Sequence, residues 1–306
     1  MNWQTEITAA YQRVAPHVLR TPVLEIDGFG LGYPVSLKLE QVQHTGSFKA
    51  RGAFNTLLSL DVPKAGLVAA SGGNHGAAVA YAAQKLGHRA KIFVPELAGP
   101  AKIGLIERCG ADLEVVGGVY ANALTAAQAY EAETGAMQVH AYDAGPTVAG
   151  QGTVALEWEE QGLDADTVLI AVGGGGLIGG AMAWLGKRRK IVAVEPVLAP
   201  TLNAALAAGE PAQVDVSGVA ANALGAGKIG QICFDLARKT QVESVLVPDD
   251  AILSAQKALW QETRQLVEPA GATALSALMC GAYKPAPGEK VAVLLCGSNL
   301  SQDPFG

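Results

Sequence analysis

The sequence predicts an α/β protein with two open, mostly parallel sheets flanked by helices. Apolar runs of strand length alternate with segments of helical period along nearly all 306 residues, as in parallel sheets that are covered by helices on both faces. The runs are too many for one sheet in a chain of this length, so two α/β units that share a cleft are expected. Half of the residues are hydrophobic and 37 are glycine, which suits buried strands and tight turns.

Individual elements follow from periodicity and from turn residues. Ile7, Tyr11 and Val14 share one face of a first helix, which should end before Pro16. Strands are expected at about 35–39, 67–70, 90–94, 112–116, 137–140, 168–172, 190–194, 243–247 and 290–295. Further helices are expected at about 49–59, 74–86, 100–108, 120–133, 148–160, 200–208, 228–238, 249–265 and 269–280, with another after the glycines that follow residue 172.

One uncharged segment, 167–186, is long enough to be weighed as a membrane span. Four consecutive glycines, Gly173 to Gly176, would break a spanning helix at its middle. The segment is therefore interpreted as a strand, a glycine turn and a helix, and no membrane association is expected.

Composition argues against several other classes. The chain has 22 basic and 28 acidic residues and a net charge of −6, and its largest basic cluster is 187–190, so no nucleic-acid partner is expected. The four cysteines lie far apart without CxxC spacing, which indicates neither a zinc site nor a disulfide framework. This cysteine usage, with an N-terminus that lacks an apolar signal segment, favours a reducing, cytoplasmic compartment.

Lys49 is the most informative single residue. It follows a predicted strand and the turn Thr45-Gly46-Ser47, which places it in the first turn of a helix. A cation is unfavourable there, because helix N-termini favour anions. Lys49 is therefore a candidate for covalent catalysis, held as an uncharged amine or as an imine with a carbonyl compound. The alternative is a solvated surface lysine, the commoner role of this residue.

A first loop, Ser71-Gly72-Gly73-Asn74-His75-Gly76, follows a strand at the edge where parallel sheets bind ligands. Its free N–H groups at a helix start suit an anion such as a carboxylate, and Asn74 offers an amide to a polar ring substituent. A capped turn without a ligand explains the loop equally well. His75 is a candidate base, although a histidine bonded to its own helix end is the commoner case.

Two further loops follow strands. Gly173 to Gly176 form an open nest of N–H donors that suits a cofactor with one phosphate, and the loop matches neither the dinucleotide nor the nucleoside-triphosphate pattern. Cys296, in Cys296-Gly297-Ser298-Asn299, would present a neutral thiol to the cleft. The alternative for Cys296 is a buried structural cysteine.

Together these motifs resemble those of the fold type II family of pyridoxal-phosphate enzymes, which is tryptophan synthase β-subunit-like, and specifically its serine/threonine dehydratase and serine racemase group. The resemblance covers essentially the whole chain. It rests on six motifs in the family's order, namely Thr45-Gly46-Ser47-Phe48-Lys49-Ala50-Arg51-Gly52-Ala53, Ser71-Gly72-Gly73-Asn74-His75-Gly76, Gly150-Gln151-Gly152-Thr153, Gly173 to Gly176, Val267-Glu268-Pro269-Ala270-Gly271-Ala272 and Cys296-Gly297-Ser298-Asn299.

The resemblance implies pyridoxal 5′-phosphate as the cofactor and assigns residues to it. Lys49 would be the Schiff-base lysine and Phe48 the ring beside the cofactor. Asn74 would bind the pyridine hydroxyl, and Cys296 would face the pyridine nitrogen. The phosphate would be held by Gly173, Gly174, Gly175, Gly176 and Leu177. The substrate carboxylate would be received, mainly through backbone N–H groups, by Ser71, Gly72, Gly73 and His75.

The implied reaction is β-elimination from L-threonine, L-serine or a related hydroxyamino acid such as 3-hydroxyaspartate, which gives a 2-oxo acid and ammonia. Lys49 would remove the Cα proton. A thiol at the pyridine nitrogen, in place of an aspartate, disfavours reactions that need a long-lived carbanion, such as transamination. The alternatives are an amino-acid racemase and, less well matched in its loops, a β-replacement synthase. A non-catalytic binding protein would be expected to have lost the lysine or the glycines.

Two departures from the group's pattern refine this expectation. Serine racemases of the group carry a serine at the position of Gly72, so we expect elimination with little racemisation. Some members carry a divalent-cation motif that ends in a carboxylate, whereas the segment here, Glu195-Pro196-Val197-Leu198-Ala199-Pro200-Thr201, ends in a threonine. No metal is therefore expected, and activity should resist chelation.

The resemblance also implies a domain organisation. A small domain, residues 62–142, would be inserted into a large cofactor-binding domain made of residues 1–61 and 143–306, with the cofactor between them. A homodimer is expected, as is usual for such enzymes. The chain ends soon after Cys296, so no regulatory domain and no control by isoleucine are expected.

Overall fold

The computed structural model describes residues 1–118 and 120–302, and it folds them into two sheets flanked by helices. The strands are β1 (Val23–Asp27), β2 (Pro34–Leu39), β3 (Leu67–Ala70), β4 (Ala90–Pro95), β5 (Asp112–Val116), β6 (Met137–Gln138), β7 (Thr167–Ala171), β8 (Lys190–Pro196), β9 (Glu243–Val247) and β10 (Val291–Leu295). The helices are α1 (Trp3–Val14), α2 (Lys49–Ser59), α3 (Asn74–Leu86), α4 (Pro100–Arg108), α5 (Tyr120–Thr134), α6 (Gly145–Glu160), α7 (Gly176–Leu185), α8 (Thr201–Ala208), α9 (Ala221–Leu224), α10 (Gln231–Thr240), α11 (Asp249–Ala258) and α12 (Pro269–Met279).

The predicted fold class is confirmed. The larger sheet has the order β1-β2-β10-β7-β8-β9, and its strands are parallel except for the antiparallel edge strand β1. The smaller sheet has the order β5-β4-β3-β6 and is parallel throughout. β7 and β10 lie inside the larger sheet and are buried along their whole length, as central strands of a parallel sheet require. Their carboxyl ends open onto the same edge, where the glycine loops follow.

The sequence-based prediction missed β1 and misplaced several helix ends. β1 is half exposed at the edge of its sheet, so it lacks the continuous apolar run of a buried strand. The helix expected at 249–265 is α11 followed by a π-helical turn, Leu259–Thr263, and Arg264 ends it with a left-handed φ of 57°. α6 begins earlier than expected, because Pro146 is tolerated in the first turn of a helix.

The uncharged segment 167–186 folds as β7, a glycine turn and α7, as predicted. α7 has ten residues, about half the length that a bilayer span needs. Among the helices of the described ranges, none is both long and apolar enough to cross a membrane.

α6 packs between α2 and α7, and glycines make the approach close. A methyl group placed on Gly150 of α6 would lie 2.7 Å from the Cα of Gly52 in α2. On the other side, a methyl group on Gly180 of α7 would lie 2.4 Å from the backbone nitrogen of Gly152. Real Cβ atoms do not approach so closely, so any side chain at these positions would force the three helices apart.

A cluster of four charged side chains is buried beneath α2. The Arg51 guanidinium contacts Glu40 at 2.7 Å and Glu157 at 2.9 Å, and the Lys38 ammonium contacts Glu157 at 2.7 Å. Two positive and two negative charges make the cluster neutral, and each residue is at most 1% exposed. Burial raises the pKa of Glu40, but Arg51, together with Thr21 and Lys38, outweighs this effect and holds that pKa below its ordinary value. The cluster anchors the helix that begins at Lys49.

Replacing Arg51 with methionine should destabilise the protein strongly, because it leaves the carboxylates of Glu40 and Glu157 buried without their main partner. We expect the free energy of unfolding to fall by about 3–5 kcal/mol, measured by urea unfolding followed by circular dichroism. The control is Lys290→Gln, which breaks the exposed pair with Asp164 and should leave the unfolding curve unchanged. A loss for R51M no larger than that of the control would contradict this account.

Candidate active site

One cavity lies at the carboxyl ends of β7 and β10, where the N-termini of α2, α3 and α7 converge. All of the cofactor-binding residues predicted from the sequence line it. The lining consists of Phe48, Lys49, Asn74, Tyr142, Ala171, Gly173, Gly174, Gly175, Gly176, Leu177, Ile178, Ala223, Leu224, Ala270 and Cys296. The tertiary structure thus brings the lysine, the tetraglycine loop and the thiol, which are far apart in sequence, to one place.

Lys49 is the first residue of α2, as predicted. Its ammonium donates a hydrogen bond to the carbonyl of Ala141 at 2.7 Å and lies 5.2 Å from the centre of the Phe48 ring. The turn before it is tied to the end of β10, because the Phe48 N–H donates to the carbonyl of Cys296 at 3.2 Å. Burial lowers the pKa of Lys49 to about 8. The neutral, nucleophilic form of its amine is therefore far more accessible near neutral pH than that of a solvated lysine.

The tetraglycine loop joins β7 to α7 and has no room for side chains. A Cβ on Gly174 would lie 2.3 Å from a ring carbon of Tyr142, and one on Gly175 would lie 2.5 Å from the sulfur of Cys233. Gly175 also has a φ of +92°, in the left-handed region. In the described part of the chain, the N–H groups of Gly173, Gly174 and Gly175 donate to no protein acceptor. With the free N–H groups at the start of α7, they form a nest suited to an anion.

Asn74 is held at both ends of its amide. Its Nδ2 donates to Glu268 Oε1 at 2.5 Å, and its Oδ1 accepts from Asn299 Nδ2 at 2.7 Å. Asn299 Nδ2 also donates to the carbonyl of Thr45, at 2.7 Å. Four sequence motifs therefore meet in a single hydrogen-bonded network. Burial raises the pKa of Glu268 to about 7, although Lys102 and the bond from Asn74 both oppose this shift.

The loop predicted to receive a carboxylate lies beside the cavity, and only Asn74 of that loop lines it. The N–H of Gly73 donates to Ser71 Oγ at 3.2 Å and so is already partnered. A Cβ on Gly72 would lie 2.4 Å from the Cβ of Ala98. A Cβ on Gly73 would lie 3.9 Å from the ammonium of Lys102, a residue that lines a second cavity.

His75 is buried and neutral. Its Nε2–H donates to the carbonyl of Val139 at 2.8 Å, so its partner belongs to the segment after β6 and not to its own helix end. Burial, reinforced by the nearby charge of Lys49, lowers the pKa of His75 to about 3. The ring therefore fixes the loop and does not serve as a proton donor near neutral pH.

Cys296 is the residue that follows β10, and its thiol is buried. The thiol donates to the carbonyl of Ala270 at 3.4 Å. Burial and the nearby Glu268 raise the pKa of Cys296 well above its ordinary value. The cavity is thus bordered by a neutral sulfur, as expected from the sequence.

Sequence reasoning gave no role to Tyr142 or Leu224, which pack against the glycine loop. Neither lies in a recognisable motif, so nothing local marked them. Glu268 was noted only as part of a motif. The position of Glu268, between apolar residues and the start of a helix, was the signal that its carboxylate would be buried and hydrogen-bonded.

Comparison with known proteins identifies the family. The family model of pyridoxal-phosphate dependent enzymes matches residues 14–297. The chain belongs to this family. It is 35% identical to the phenylserine dehydratase of Ralstonia pickettii over 96% of this chain and 92% of that protein. Its fold is similar to that of the T.th. threonine deaminase, with a TM-score of 0.90, 36% identity and coverage of 98% of this chain and 99% of that one. It is also similar to maize serine racemase, with a TM-score of 0.92, 31% identity and coverage of 97% and 93%.

This pyridoxal-phosphate enzyme belongs to the threonine dehydratase and serine racemase group, and the residues of the cavity fit its cofactor. The nest of free N–H groups at Gly173 to Gly175 matches the needs of one phosphate. The Lys49 amine, whose pKa is lowered, is suited to react with the aldehyde group of the cofactor. A side chain at Gly173, Gly174 or Gly175 would overlap Leu224, Tyr142 or Cys233, so the loop needs glycine at these positions to keep its shape.

The segment compared above with a divalent-cation motif is closed by hydrogen bonds. Glu195 Oε1 accepts from the N–H of Leu202 at 2.7 Å, and Oε2 accepts from the N–H of Asn203 at 2.8 Å. Within the described ranges, no group of three or more histidine, cysteine, aspartate or glutamate side chains is arranged to hold a metal ion. Resistance of the enzyme to chelation stays a prediction.

Glu268 should make stability depend on pH. Because its pKa rises from the ordinary 4.5 to about 7 in the folded protein, the folded state holds a proton that the unfolded chain releases between these values. This contribution is fully present below about pH 4.5 and is lost as the pH rises to about 7. Relative to Glu268→Gln, the wild type should lose up to about 3 kcal/mol of unfolding free energy across this window.

The measurement is urea unfolding of the two proteins without cofactor, at several pH values. Glu195 has a similarly raised pKa but is present in both proteins, so its contribution cancels in the difference. Stability curves that stay parallel from pH 5 to pH 7 would show that Glu268 is not protonated as described.

Proposed function

We propose that this enzyme is a dehydratase, or ammonia-lyase, that removes the β-hydroxyl group of L-threonine, L-serine or a related hydroxyamino acid and forms a 2-oxo acid and ammonia. The observation that carries the proposal is the meeting of the Lys49 amine, the tetraglycine nest and the neutral Cys296 thiol around one cavity. The similarity to threonine deaminase and to phenylserine dehydratase supports the same reaction class.

Bound pyridoxal phosphate supplies the electron sink that stabilises negative charge at the substrate Cα. Lys49 Nζ would hold the cofactor, and the same amine would act as the general base that takes the Cα proton. Its pKa of about 8 suits both roles, because the base must be neutral before the transfer and must hold the proton after it. Lys49 Nζ then gives this proton to the β-hydroxyl group, which leaves as water, and the enamine that is released is hydrolysed by water to the 2-oxo acid and ammonia. The cavity is lined by Tyr142, Leu224 and Phe48. These side chains exclude water from the proton transfers.

Cys296 favours elimination over competing reactions. Its thiol keeps its proton because burial raises its pKa, so it would place no negative charge beside the pyridine ring of a bound cofactor. Without such a charge the ring nitrogen is not held in its protonated form, and carbanions at Cα are stabilised less. Loss of the β-hydroxyl together with the Cα proton avoids this penalty.

Racemisation is the second candidate function, and the similarity to maize serine racemase favours it. A racemase needs an acid on the face of Cα opposite the lysine. Gly72 supplies none at the position where the resemblance to serine racemases implies a serine, and Ala98 fills the space that its side chain would need. His75 is neutral and bonded to Val139. We therefore propose elimination as the main reaction.

We also propose that residues 62–142 form a small domain, and that residues 1–61 and 143–306 form the large one. The strands of the smaller sheet, β3 to β6, all come from the inserted segment, which supports this division. Residues 303–306 lie outside the described ranges.

The direct test is release of 2-oxo acid from L-threonine, L-serine, 3-hydroxyaspartate and 3-phenylserine by the purified holoenzyme. We expect a yellow protein, turnover of at least one of these substrates, and loss of more than about 10³-fold in kcat for Lys49→Ala, because the base and the covalent attachment are removed together. Lys64→Ala, at a lysine outside the cavity, is the control. A colourless wild type after reconstitution with pyridoxal phosphate would refute the proposal.

Replacing Gly72 with serine should destabilise the enzyme and not convert it to a racemase. The new Cβ would overlap Ala98, so we expect about 1–3 kcal/mol less unfolding free energy. The double variant Gly72→Ser with Ala98→Gly should recover most of this loss. Chiral chromatography of reactions with L-serine should show pyruvate far in excess of D-serine for the wild type and for G72S. Comparable rates of the two products in the wild type would favour the racemase instead.

A further inference from the structure

Thr201 forms a hydrogen bond to the glycine loop that no sequence motif indicated. It is the first residue of α8 and is fully buried. Its hydroxyl donates to the carbonyl of Gly173 at 2.6 Å. Gly173 is the first glycine of the nest, so this hydrogen bond joins α8 to the glycine loop.

Glu195 fixes Thr201 in place. This carboxylate, on β8, accepts hydrogen bonds from the N–H groups of Leu202 and Asn203, which hold the first turn of α8. Glu195 Oε1 also lies 3.1 Å from Thr201 Oγ1. The Thr201 hydroxyl has only one proton, so it donates that proton to the nearer acceptor, the Gly173 carbonyl.

The direction of one N–H group follows from this contact. A peptide unit is planar, with its C=O and the next N–H pointing in opposite directions. Holding the Gly173 carbonyl therefore orients the N–H of Gly174, which has no protein acceptor in the described residues and belongs to the nest. The next peptide unit is held in the same way, because the N–H of Gly230 donates to the Gly174 carbonyl at 3.1 Å. Glycine peptides rotate easily, so such anchors are needed for a fixed nest.

We propose that Thr201 is a positioning residue for cofactor binding, which aims the Gly174 N–H at the phosphate group by holding the Gly173 carbonyl. This inference rests on the proposed role of the glycine loop as the phosphate site. Thr201 does not touch the cofactor in this account, so its effect is confined to ligands that carry the phosphate.

The test compares the dissociation constants of pyridoxal phosphate and of pyridoxal, measured by absorbance titration of the cofactor-free protein. For Thr201→Val we expect weaker binding of pyridoxal phosphate by about 5- to 10-fold, the effect of losing one orienting hydrogen bond, and no comparable change for pyridoxal. Thr201→Ser keeps the hydroxyl and should bind both ligands as the wild type does. Thr201→Ala, which adds no bulk, should repeat the contrast if the valine variant folds poorly.

Ser244→Ala is the matched control. Its hydroxyl contacts Glu195 Oε2 at 3.4 Å but does not reach Gly173, so its loss should leave both constants unchanged. Unchanged binding of pyridoxal phosphate by T201V and T201A, or an equal loss for both ligands, would overturn the inference while leaving the proposed function intact. A wild type that binds pyridoxal without any preference for the phosphorylated form would overturn the phosphate site itself.

Discussion

The close approach of α2, α6 and α7 is the constraint on which the site depends. Lys49 begins α2 and the glycine nest precedes α7, so the spacing of these helices sets the distance between the amine and the proposed phosphate site. Gly150 and Gly152 of α6 permit the contact on either side, and a methyl group at these positions would overlap backbone or core atoms. The motif Gly150-Gln151-Gly152-Thr153, which lines no part of the cavity, therefore acts through geometry. A side chain there would displace Lys49 and the glycine loop without touching either of them.

The buried ionisable groups of this protein form two sets, which differ in whether an opposite charge lies beside them. Beneath α2, Arg51 meets Glu40 and Glu157 directly, and the paired charges persist without water. Around the cavity the groups lack such partners, and removal from water favours their neutral forms. Lys49 has a lowered pKa and Cys296 a raised one for this same reason. The paired cluster supports the position of the helix, whereas in the proposed mechanism the unpaired Lys49 and Cys296 serve as the base and as the neutral partner of the cofactor ring.

Hydrogen bonds between loops explain why short motifs far apart in sequence occur together. Asn74 is held by Glu268 and Asn299, and Asn299 in turn holds the turn before Lys49. Thr201 and Gly230 hold the glycine nest by donating hydrogen bonds to the carbonyls of Gly173 and Gly174. Each glycine that allows a cofactor to approach also allows the backbone to rotate, so each ligand-binding loop needs an external anchor. Thr201 and Gly230 lie outside the six motifs, whereas Glu268 and Asn299 belong to motifs that are distant in sequence from the loops they hold.

The sequence by itself determined the alternation of strands and helices, the parallel character of the sheets, and the identity of the groups around the cavity, because periodicity, glycine turns and the lysine motif are local properties. It did not determine β1, whose residues are half exposed at a sheet edge, or the partner of His75. Only the tertiary structure decided that Glu268 pairs with Asn74 and that Thr201 bonds to Gly173, since these contacts join residues brought together by folding. Burial is likewise a property of the folded chain, so the pKa of Lys49 could be assigned only there.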